Sequence, residues 1–311
     1  MDHRFYYEPI LKGHPKKNED ISIQFLGKKF VTPIWVSSMT GGTGLAKTIN
    51  TNLARACGEY GMGMGLGSCR SLLESDDRIL DFDMRSMMLD QPLYANLGIA
   101  QIGELFASSK ENQIIELVKK LQANGLIIHI NPLQEWLQPE GDIYFDSPLD
   151  LIRRVIDLDE NLSIIIKEVG QGMGPKSLQA LYELPIDAVD FAAGGGTNFA
   201  KLELHRASDD QKGRYTGLAQ VGHSALEMVQ MTNGLFDKNE AQFKCKQTII
   251  SGGVSDYLDG YYLTEKLKHK AIYGQASGFL KHAMDDYEKL QQHIESQIKG
   301  LQMAHQFLSV R

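Results

Sequence analysis

Residues 162–170 read LSIIIKEVG, an apolar run that ends in a polar, glycine-containing turn. The run is too short for a helix and apolar throughout, as expected of a parallel strand that is covered on both faces. Seven similar pairs of a strand-like run and a polar or glycine-rich cluster occur elsewhere. They are VTPIWVSSMTGG (31–42), GMGMGLGSCR (61–70), LYANLG (93–98), GLIIHINPLQE (125–135), AVDFAAGGGTN (188–198), TIISGG (248–253) and AIYGQAS (271–277).

Amphipathic sequence long enough for a helix separates most of these pairs. Eight alternating strands and helices predict an α/β fold, a single-domain (β/α)8 TIM barrel, which normally needs about 250 residues. We assign residues 1–30 to an N-terminal strand or flap with a turn at 25–28, and residues 31–311 to the barrel with its C-terminal helix. Helices are predicted at 46–60, 112–125, 148–158, 176–184, 218–231, 258–269 and 284–310, the last with a break near Gly300.

Composition excludes several classes of protein. The 311 residues carry a formal net charge of −7 and no continuous basic stripe, which argues against a general nucleic-acid binder. No run approaches the roughly 18 apolar residues of a membrane span, and no apolar signal region opens the chain. Cys57, Cys69 and Cys245 fit neither a disulfide framework nor a zinc site. We therefore expect a cytoplasmic protein that binds neither nucleic acid nor membrane.

Two clusters at the last two strands are candidate phosphate sites. SGG (251–253) ends the seventh strand and GQAS (274–277) ends the eighth. Barrels commonly hold a phosphate at these two loops, where backbone N–H groups donate and glycine lets the ligand approach. The alternative is that the glycines serve only tight turns. Their pairing on adjacent final strands favours phosphate.

Lys167 lies inside an apolar strand, where a lysine has a large desolvation cost unless a partner compensates it. Either it pairs with a neighbouring carboxylate such as Glu168, or it points into the barrel mouth towards an anionic ring or phosphate. Neutral hydrogen-bonding groups follow other strands at the same rim and suit the many donors and acceptors of a flavin. These are Ser38, Met39, Thr40, Asn96, Thr197 and Asn198.

The segment HINPLQEWLQPEGD (129–142) follows the fourth strand. His129 and Asn131 point to one side because side chains alternate along a strand. One carboxylate beside an amide, as at Gln134 and Glu135, suits Mg²⁺, which keeps waters and takes oxygens from a substrate phosphate. The alternative is that Glu135 is a solvated loop carboxylate.

Two further motifs are ambiguous or excluded. Arg70 could grip a phosphate bidentately, or it could be an ordinary arginine at a helix start. The glycine-rich stretch 61–67 does not continue into a helix with a suitably placed acidic residue, so we discount a dinucleotide-binding fingerprint. No Ser/His/Asp array or Cys/His couple is evident in the sequence.

Seven motifs, in order from about Phe25 to about Leu280, resemble those of type 2 isopentenyl diphosphate isomerase. This family depends on FMN and Mg²⁺ and interconverts isopentenyl and dimethylallyl diphosphate. The motifs are MTGG (39–42), LGS.R (66–70), ANLG (95–98), H.NPLQE…QPEGD (129–142), KEVG.GM (167–173), GGTN (195–198) and SGG (251–253).

The resemblance implies a role for each matching residue. It makes the region 31–311 an FMN-binding barrel, with reduced flavin as the acid and base, NADPH as the flavin reductant and a homotetramer or larger as the assembly. Glu135 would bind Mg²⁺, and Gln134 and His129 would be the catalytic side chains. The substrate diphosphate would contact Ser68, Arg70, His129, Asn131 and Gln134. FMN would contact Ser38, Met39, Thr40, Ser68, Asn96, Lys167, Thr197, Gly252, Gly253, Ala276 and Ser277.

The sequence departs from the family pattern in three places. FLGKK (25–29) lies so near the start that we expect the family's Arg-Lys diphosphate clamp to be missing. Cys69 stands where the family usually has Gln, and GQASGF (274–279) lacks the usual basic or proline-bearing form. Two alternatives therefore stand beside the isomerase. One is a diverged FMN-dependent oxidoreductase acting on another substrate, and the other is a non-catalytic barrel that binds a prenyl diphosphate or a protein.

Overall fold

Eight parallel strands close into a barrel in the computed structural model, which describes residues 1–17, 19–41, 44–207 and 209–311. The barrel strands follow one another around the ring in chain order, which confirms the predicted single-domain (β/α)8 fold. The strands, of which the fourth to the eleventh form the barrel, are β1 (Phe5–Tyr7), β2 (Ile23–Phe25), β3 (Lys28–Phe30), β4 (Ile34–Val36), β5 (Gly63–Gly65), β6 (Leu93–Gly98), β7 (Gly125–His129), β8 (Ser163–Lys167), β9 (Ala188–Asp190), β10 (Gln247–Ser251), β11 (Lys270–Gln275) and β12 (Leu308–Val310).

Helices cover the outside of the barrel and extend the loops at its mouth. They are α1 (Ala46–Tyr60), α2 (Arg85–Met88), α3 (Ile99–Ala107), α4 (Asn112–Lys120), α5 (Pro132–Leu137), α6 (Pro148–Ile156), α7 (Pro175–Tyr182), α8 (Phe199–Arg206), α9 (Asp209–Tyr215), α10 (Ala225–Asn239), α11 (Tyr257–Lys266), α12 (Ser277–Ala283) and α13 (Tyr287–Phe307). No described helix is long and apolar enough to cross a bilayer.

The helix predicted at 218–231 is wrong in its first half. A single 3-10 turn spans Leu218–Gln220, and α10 begins only at Ala225. Ser224 defines that start, because its hydroxyl accepts a hydrogen bond from the Glu227 N–H at 3.3 Å while the Glu227 carboxylate accepts one from the Ser224 N–H at 2.7 Å. This reciprocal capping box separates the helix from the loop before it.

The C-terminal helix α13 runs through Gly300 without the predicted break. A Cβ at this position would lie 2.4 Å from the ring of Tyr257, so glycine is needed for close packing of α11 on α13 rather than for a kink. Beyond α13 the chain forms β12, which pairs antiparallel with β1. The N-terminal and C-terminal segments are thereby joined.

A hairpin of β2 and β3 closes the amino end of the barrel. Leu26 and Gly27 form its turn, both with positive φ (49° and 70°), and the Leu26 N–H donates to Gln247 Oε1 at the start of β10. Phe30 packs on the Trp35 indole inside the barrel, and Phe25 packs on Phe30. The hairpin therefore acts as an apolar plug.

The interior of the barrel has an apolar layer beneath a polar one. Because side chains of a strand alternate between faces, residues two positions after an interior residue also point inward. The apolar layer packs on the hairpin and contains Trp35, Tyr94, Ile127, Ile165, Ala188, Ile249 and Ile272. Two positions further towards the mouth, the same strands carry Ser37, Asn96, His129, Lys167, Asp190, Ser251 and Gly274.

Candidate functional site

A cavity of about 340 Å³ opens at the carboxyl end of the barrel. Its wall comes from the segments after β4, β8, β9, β10 and β11, which are remote in sequence. The volume lies in the range of small-molecule sites. Eight of the predicted flavin contacts line it, namely Ser38, Met39, Lys167, Thr197, Gly252, Gly253, Ala276 and Ser277.

The other three predicted flavin contacts, Thr40, Ser68 and Asn96, do not line this cavity. The Thr40 hydroxyl donates to Asn50 Oδ1 at 2.8 Å, beneath α1. Ser68 is close to the neighbouring loop, because a Cβ on Gly41 would lie 2.5 Å from the Ser68 carbonyl oxygen. Gly42, the last residue of the MTGG motif, lies outside the described residues.

Two glycines make the predicted phosphate cradle after β10. Gly252 and Gly253 have φ of 86° and 72°, a region that side chains with a Cβ rarely adopt. A Cβ on Gly252 would also lie 2.1 Å from the Ala193 carbonyl oxygen. The loops after β9 and β10 can approach this closely only because position 252 is glycine.

Three polar side-chain atoms of the cavity wall have no partner within the described protein: Ser37 Oγ, Ser38 Oγ and Gln275 Oε1. A buried polar atom left unpaired costs about 1–3 kcal/mol. Unpaired atoms of this kind suit a ligand with several donors and acceptors. Ser37 and Gln275 were not proposed individually as site residues, although both lie in stretches that the sequence analysis singled out, 31–42 and 274–277.

Lys167 is buried at the cavity wall, and its ammonium group donates to the backbone oxygen of Glu168 at 2.8 Å. Lys167 does not form the ion pair with the Glu168 carboxylate that one of the two predictions expected. That carboxylate turns back and accepts the N–H groups of Val169, Gly170 and Gln171 at 2.6 Å each and of Gly172 at 3.1 Å. Burial raises the Glu168 pKa, and the hydrogen bonds from Gln171, Gly170 and Val169, together with the Lys167 charge, oppose the rise. Glu168 thus fixes the loop, and Lys167 stays available to a ligand.

His129 is held by Asn96 in a defined tautomer. The Asn96 amide nitrogen donates to the Leu66 carbonyl at 2.9 Å, so its oxygen must accept from His129 Nδ1 at 2.8 Å. Nε2 of His129 is therefore left as an acceptor. Burial, with a smaller contribution from the Lys167 cation, lowers the His129 pKa to about 3, so the imidazole is neutral at pH 7.

Four of the six residues predicted to bind the diphosphate and the metal are linked by hydrogen bonds, namely Arg70, Asn131, Gln134 and Glu135. Asn131 Nδ2 donates to Glu135 Oε1 at 2.7 Å and to Gln134 Oε1 at 3.2 Å. Glu135 Oε2 accepts the Asp142 N–H at 2.8 Å, and Asp142 Oδ2 forms an ion pair with Arg70 Nη1 at 2.6 Å. The structure thus brings the LGS.R and H.NPLQE…QPEGD motifs together.

The carboxylate of Glu135 is the candidate metal ligand. Among the described residues, no group of three or more His, Cys, Asp or Glu side chains could hold a metal ion unaided. Each Glu135 oxygen accepts one protein hydrogen bond, which leaves a lone pair on each oxygen. Such a site suits Mg²⁺ coordinated mainly by water and phosphate oxygens.

The buried thiol of Cys69 is unsuited to nucleophilic chemistry. Its sulfur lies against the Gly67 carbonyl oxygen at 3.4 Å, and burial raises its pKa to about 12. A thiol with so high a pKa is not ionised at neutral pH, so it behaves as a small apolar side chain.

The chain is similar to curated proteins named isopentenyl-diphosphate delta-isomerase. It is 35% identical over 281 residues to the one from Rickettsia africae (strain ESF-5), covering 90% of this chain and 78% of that protein. It is 37% identical over 268 residues to the one from Rickettsia peacockii (strain Rustic), covering 86% and 74%. No protein-family model matches the chain.

The solved structures with similar folds include two whose descriptions name a flavin. The recombinant flavin-binding domain of flavocytochrome b2 from baker's yeast has a TM-score of 0.64 at 15% identity, covering 97% of this chain and 72% of that one. A mutant mandelate oxidase with a monooxide FMN adduct has a TM-score of 0.57 at 10% identity, covering 99% and 88%. At these identities the likeness supports the fold alone.

Proposed function

The chain belongs to the isopentenyl-diphosphate delta-isomerase family, as the sequence motifs predicted, and from this premise we propose that it interconverts isopentenyl and dimethylallyl diphosphate with FMN and Mg²⁺. The observation that carries the proposal is the cavity wall. Eight residues from five separate segments meet around one space, and three residues of its wall carry buried polar atoms with no hydrogen-bond partner among the described residues. The sequence motifs had assigned those same eight residues to flavin.

The wall fits FMN in its chemistry. Backbone N–H groups of Gly252 and Gly253, with those of the Ala276–Ser277 turn, would hold the phosphate, as in other barrels. The Ser38 hydroxyl, the Thr197 side chain and the Lys167 cation would hold the ring system. When bound and reduced, the flavin supplies acid and base chemistry for moving a double bond by one carbon. NADPH would serve to keep it reduced without net consumption.

The protein's own groups would orient the substrate. Arg70 offers a guanidinium group and Asn131 and Gln134 offer amides to the diphosphate, while Glu135 would hold Mg²⁺. His129 would contribute an uncharged acceptor at Nε2, since its Nδ1 proton is engaged by Asn96. Arg70 must exchange Asp142 for the diphosphate, because the two form an ion pair in the structure.

An anaerobic isomerase assay tests the proposal. Protein that is loaded with FMN and Mg²⁺ and reduced by NADPH should convert isopentenyl to dimethylallyl diphosphate without stoichiometric oxidation of NADPH. Glu135→Gln should abolish the Mg²⁺ requirement and most of the activity while flavin stays bound. No conversion, together with fast reoxidation of the flavin by an added acceptor, would instead support the oxidoreductase alternative. A protein that cannot be reconstituted with FMN would support the non-catalytic one.

Assembly is a separate part of the proposal. The resemblance implies a homotetramer or larger, and light scattering coupled to size-exclusion chromatography would measure the mass. A single 34.7 kDa species at micromolar concentration would contradict it.

A further inference from the structure

We propose that Asp190 is a positioning residue, which keeps the Lys167 side chain in its ammonium form at the cavity wall. Asp190 lies in the strand next to Lys167 and is its register partner in the β8–β9 pair. Both residues belong to the polar interior layer, two positions after Ile165 and Ala188. Their side chains therefore project into the same part of the barrel. The proposal rests on the proposed function only in taking flavin as the ligand of Lys167.

Asp190 is a buried carboxyl group rather than a solvated one. It has no exposed surface, and its Oδ1 accepts a hydrogen bond from the Ser251 hydroxyl. Within the described residues its Oδ2 has no hydrogen-bond partner. A buried, half-satisfied carboxylate is retained at a cost in stability, which calls for a compensating positive charge nearby.

The turn after Asp190 holds this arrangement in place. Ala192 has a φ of 41°, which is disfavoured for a residue with a Cβ. Its N–H donates to Ser251 Oγ at 3.0 Å, so one hydroxyl connects the turn to the carboxylate. Ala192 and Ser251 both line the flavin cavity. A strained turn that ties a buried acid to a ligand cavity is typical of a functional site.

Asp190 is the principal counter-charge of Lys167. Burial lowers the Lys167 pKa, and the negative charges of Asp190 and, less strongly, Glu168 oppose that fall. The Glu168 carboxylate already accepts four backbone N–H groups, and His129 on the other neighbouring strand is neutral. Burial likewise raises the Asp190 pKa and the Lys167 charge lowers it, so the two groups titrate as a pair.

The pH dependence of flavin affinity tests this role. FMN titrations followed by flavin fluorescence should show less than about a twofold change in wild-type affinity between pH 6 and pH 8. Asp190→Asn should bind FMN at least about tenfold more weakly at pH 8 than at pH 6, because loss of the Asp190 charge lets burial lower the Lys167 pKa further. Lys167→Met should bind weakly and keep only the pH dependence that titration of the FMN phosphate contributes. Identical pH profiles for wild type and Asp190→Asn would overturn the proposal.

A second variant and a second measurement keep the proposal testable if Asp190→Asn does not fold or if the protein binds no flavin. Ser251→Ala removes the hydroxyl that stabilises the Asp190 anion and should give a smaller shift in the same direction. If wild type binds no FMN, the proposed function fails, and the pair is measured in the flavin-free protein. A double-mutant cycle of Asp190→Asn and Lys167→Met in urea unfolding should then show coupling at pH 7. Additive effects would refute the positioning role independently of flavin.

Discussion

Replacing His129 with Asn should flatten the pH dependence of the protein's stability between pH 7 and pH 5. The folded imidazole is buried beside the Lys167 cation, and its pKa is lowered to about 3. In the unfolded chain the imidazole returns to a pKa of about 6.5. Between these values the unfolded chain binds a proton that the folded chain does not. The free energy of unfolding therefore falls as the pH falls from about 6.5 towards 3.

The size of the effect follows from the unfolded state. A pH of 5 is about 1.5 units below the pKa of the unfolded imidazole, and each unit corresponds to about 1.36 kcal/mol. Protonation of the unfolded chain at pH 5 therefore lowers the free energy of unfolding by about 2 kcal/mol. At pH 7 the same contribution is about 0.2 kcal/mol. Because pH 5 is well above the lowered pKa of the folded state, the value depends little on how far that pKa is depressed.

Urea unfolding followed by circular dichroism at the two pH values measures this difference. His129→Asn loses the hydrogen bond to Asn96 and is less stable at both pH values, so only its change between them matters. That change should be smaller than in wild type by about 2 kcal/mol. His269, whose pKa burial lowers to about 4, provides a second test. His269→Asn should reduce the change in the free energy of unfolding between pH 7 and pH 5 by a similar amount. An equal decrease in the free energy of unfolding from pH 7 to pH 5 in wild type and His129→Asn would refute the buried neutral imidazole.

Three further predictions concern backbone packing and the loop after β8. Gly252→Ala should abolish FMN binding while a cooperative thermal unfolding transition persists, because its Cβ would overlap a carbonyl oxygen at 2.1 Å. An unchanged flavin affinity would mean that the Gly252 loop does not bind the phosphate. Gly300→Ala should destabilise by about 1–3 kcal/mol through the Tyr257 ring, whereas Gly234→Ala, at an open helix position, should stabilise by about 0.5–1 kcal/mol. Thermal unfolding in which both variants are stabilised, or both destabilised, would contradict this prediction. Glu168→Gln should cost about 1–3 kcal/mol in urea unfolding by weakening charge-assisted hydrogen bonds, and no change would mean that another group anchors the loop.

The fold could be predicted because its signal is local and repeated. Each barrel strand is a short apolar run followed by a polar cluster, and a barrel brings all such clusters to one face. That rule alone placed Lys167, Thr197 and Gly252 around one cavity, although they come from three different loops. The hairpin below the barrel was harder to anticipate, because β2 and β3 are only three residues each and gain their stability by packing on Trp35.

Partners across strands could not be predicted from the sequence. Glu168 is adjacent to Lys167 in the chain, but consecutive side chains of a strand point to opposite faces, so its carboxylate could not join Lys167 inside the barrel. The counter-charge that does so, Asp190, is identified only by the register of β8 against β9. Asn96 illustrates the same limit, since its partners Leu66 and His129 lie on the segments of the two flanking strands. Register depends on the closed sheet and leaves no local trace.

The division of the interior into two layers explains why this fold can carry a strained and incompletely satisfied site. The apolar layer is sealed below by Phe25 and Phe30 and contains the fully buried Trp35, so within the barrel interior the apolar packing lies at the amino end. The polar layer lies two residues further along the same strands and accepts unpaired atoms such as Ser37 Oγ and Asp190 Oδ2. Because one alternation of side chains builds both layers, the apolar layer fixes where each polar group points. Stability below thus supplies the preorganisation that a ligand site above requires.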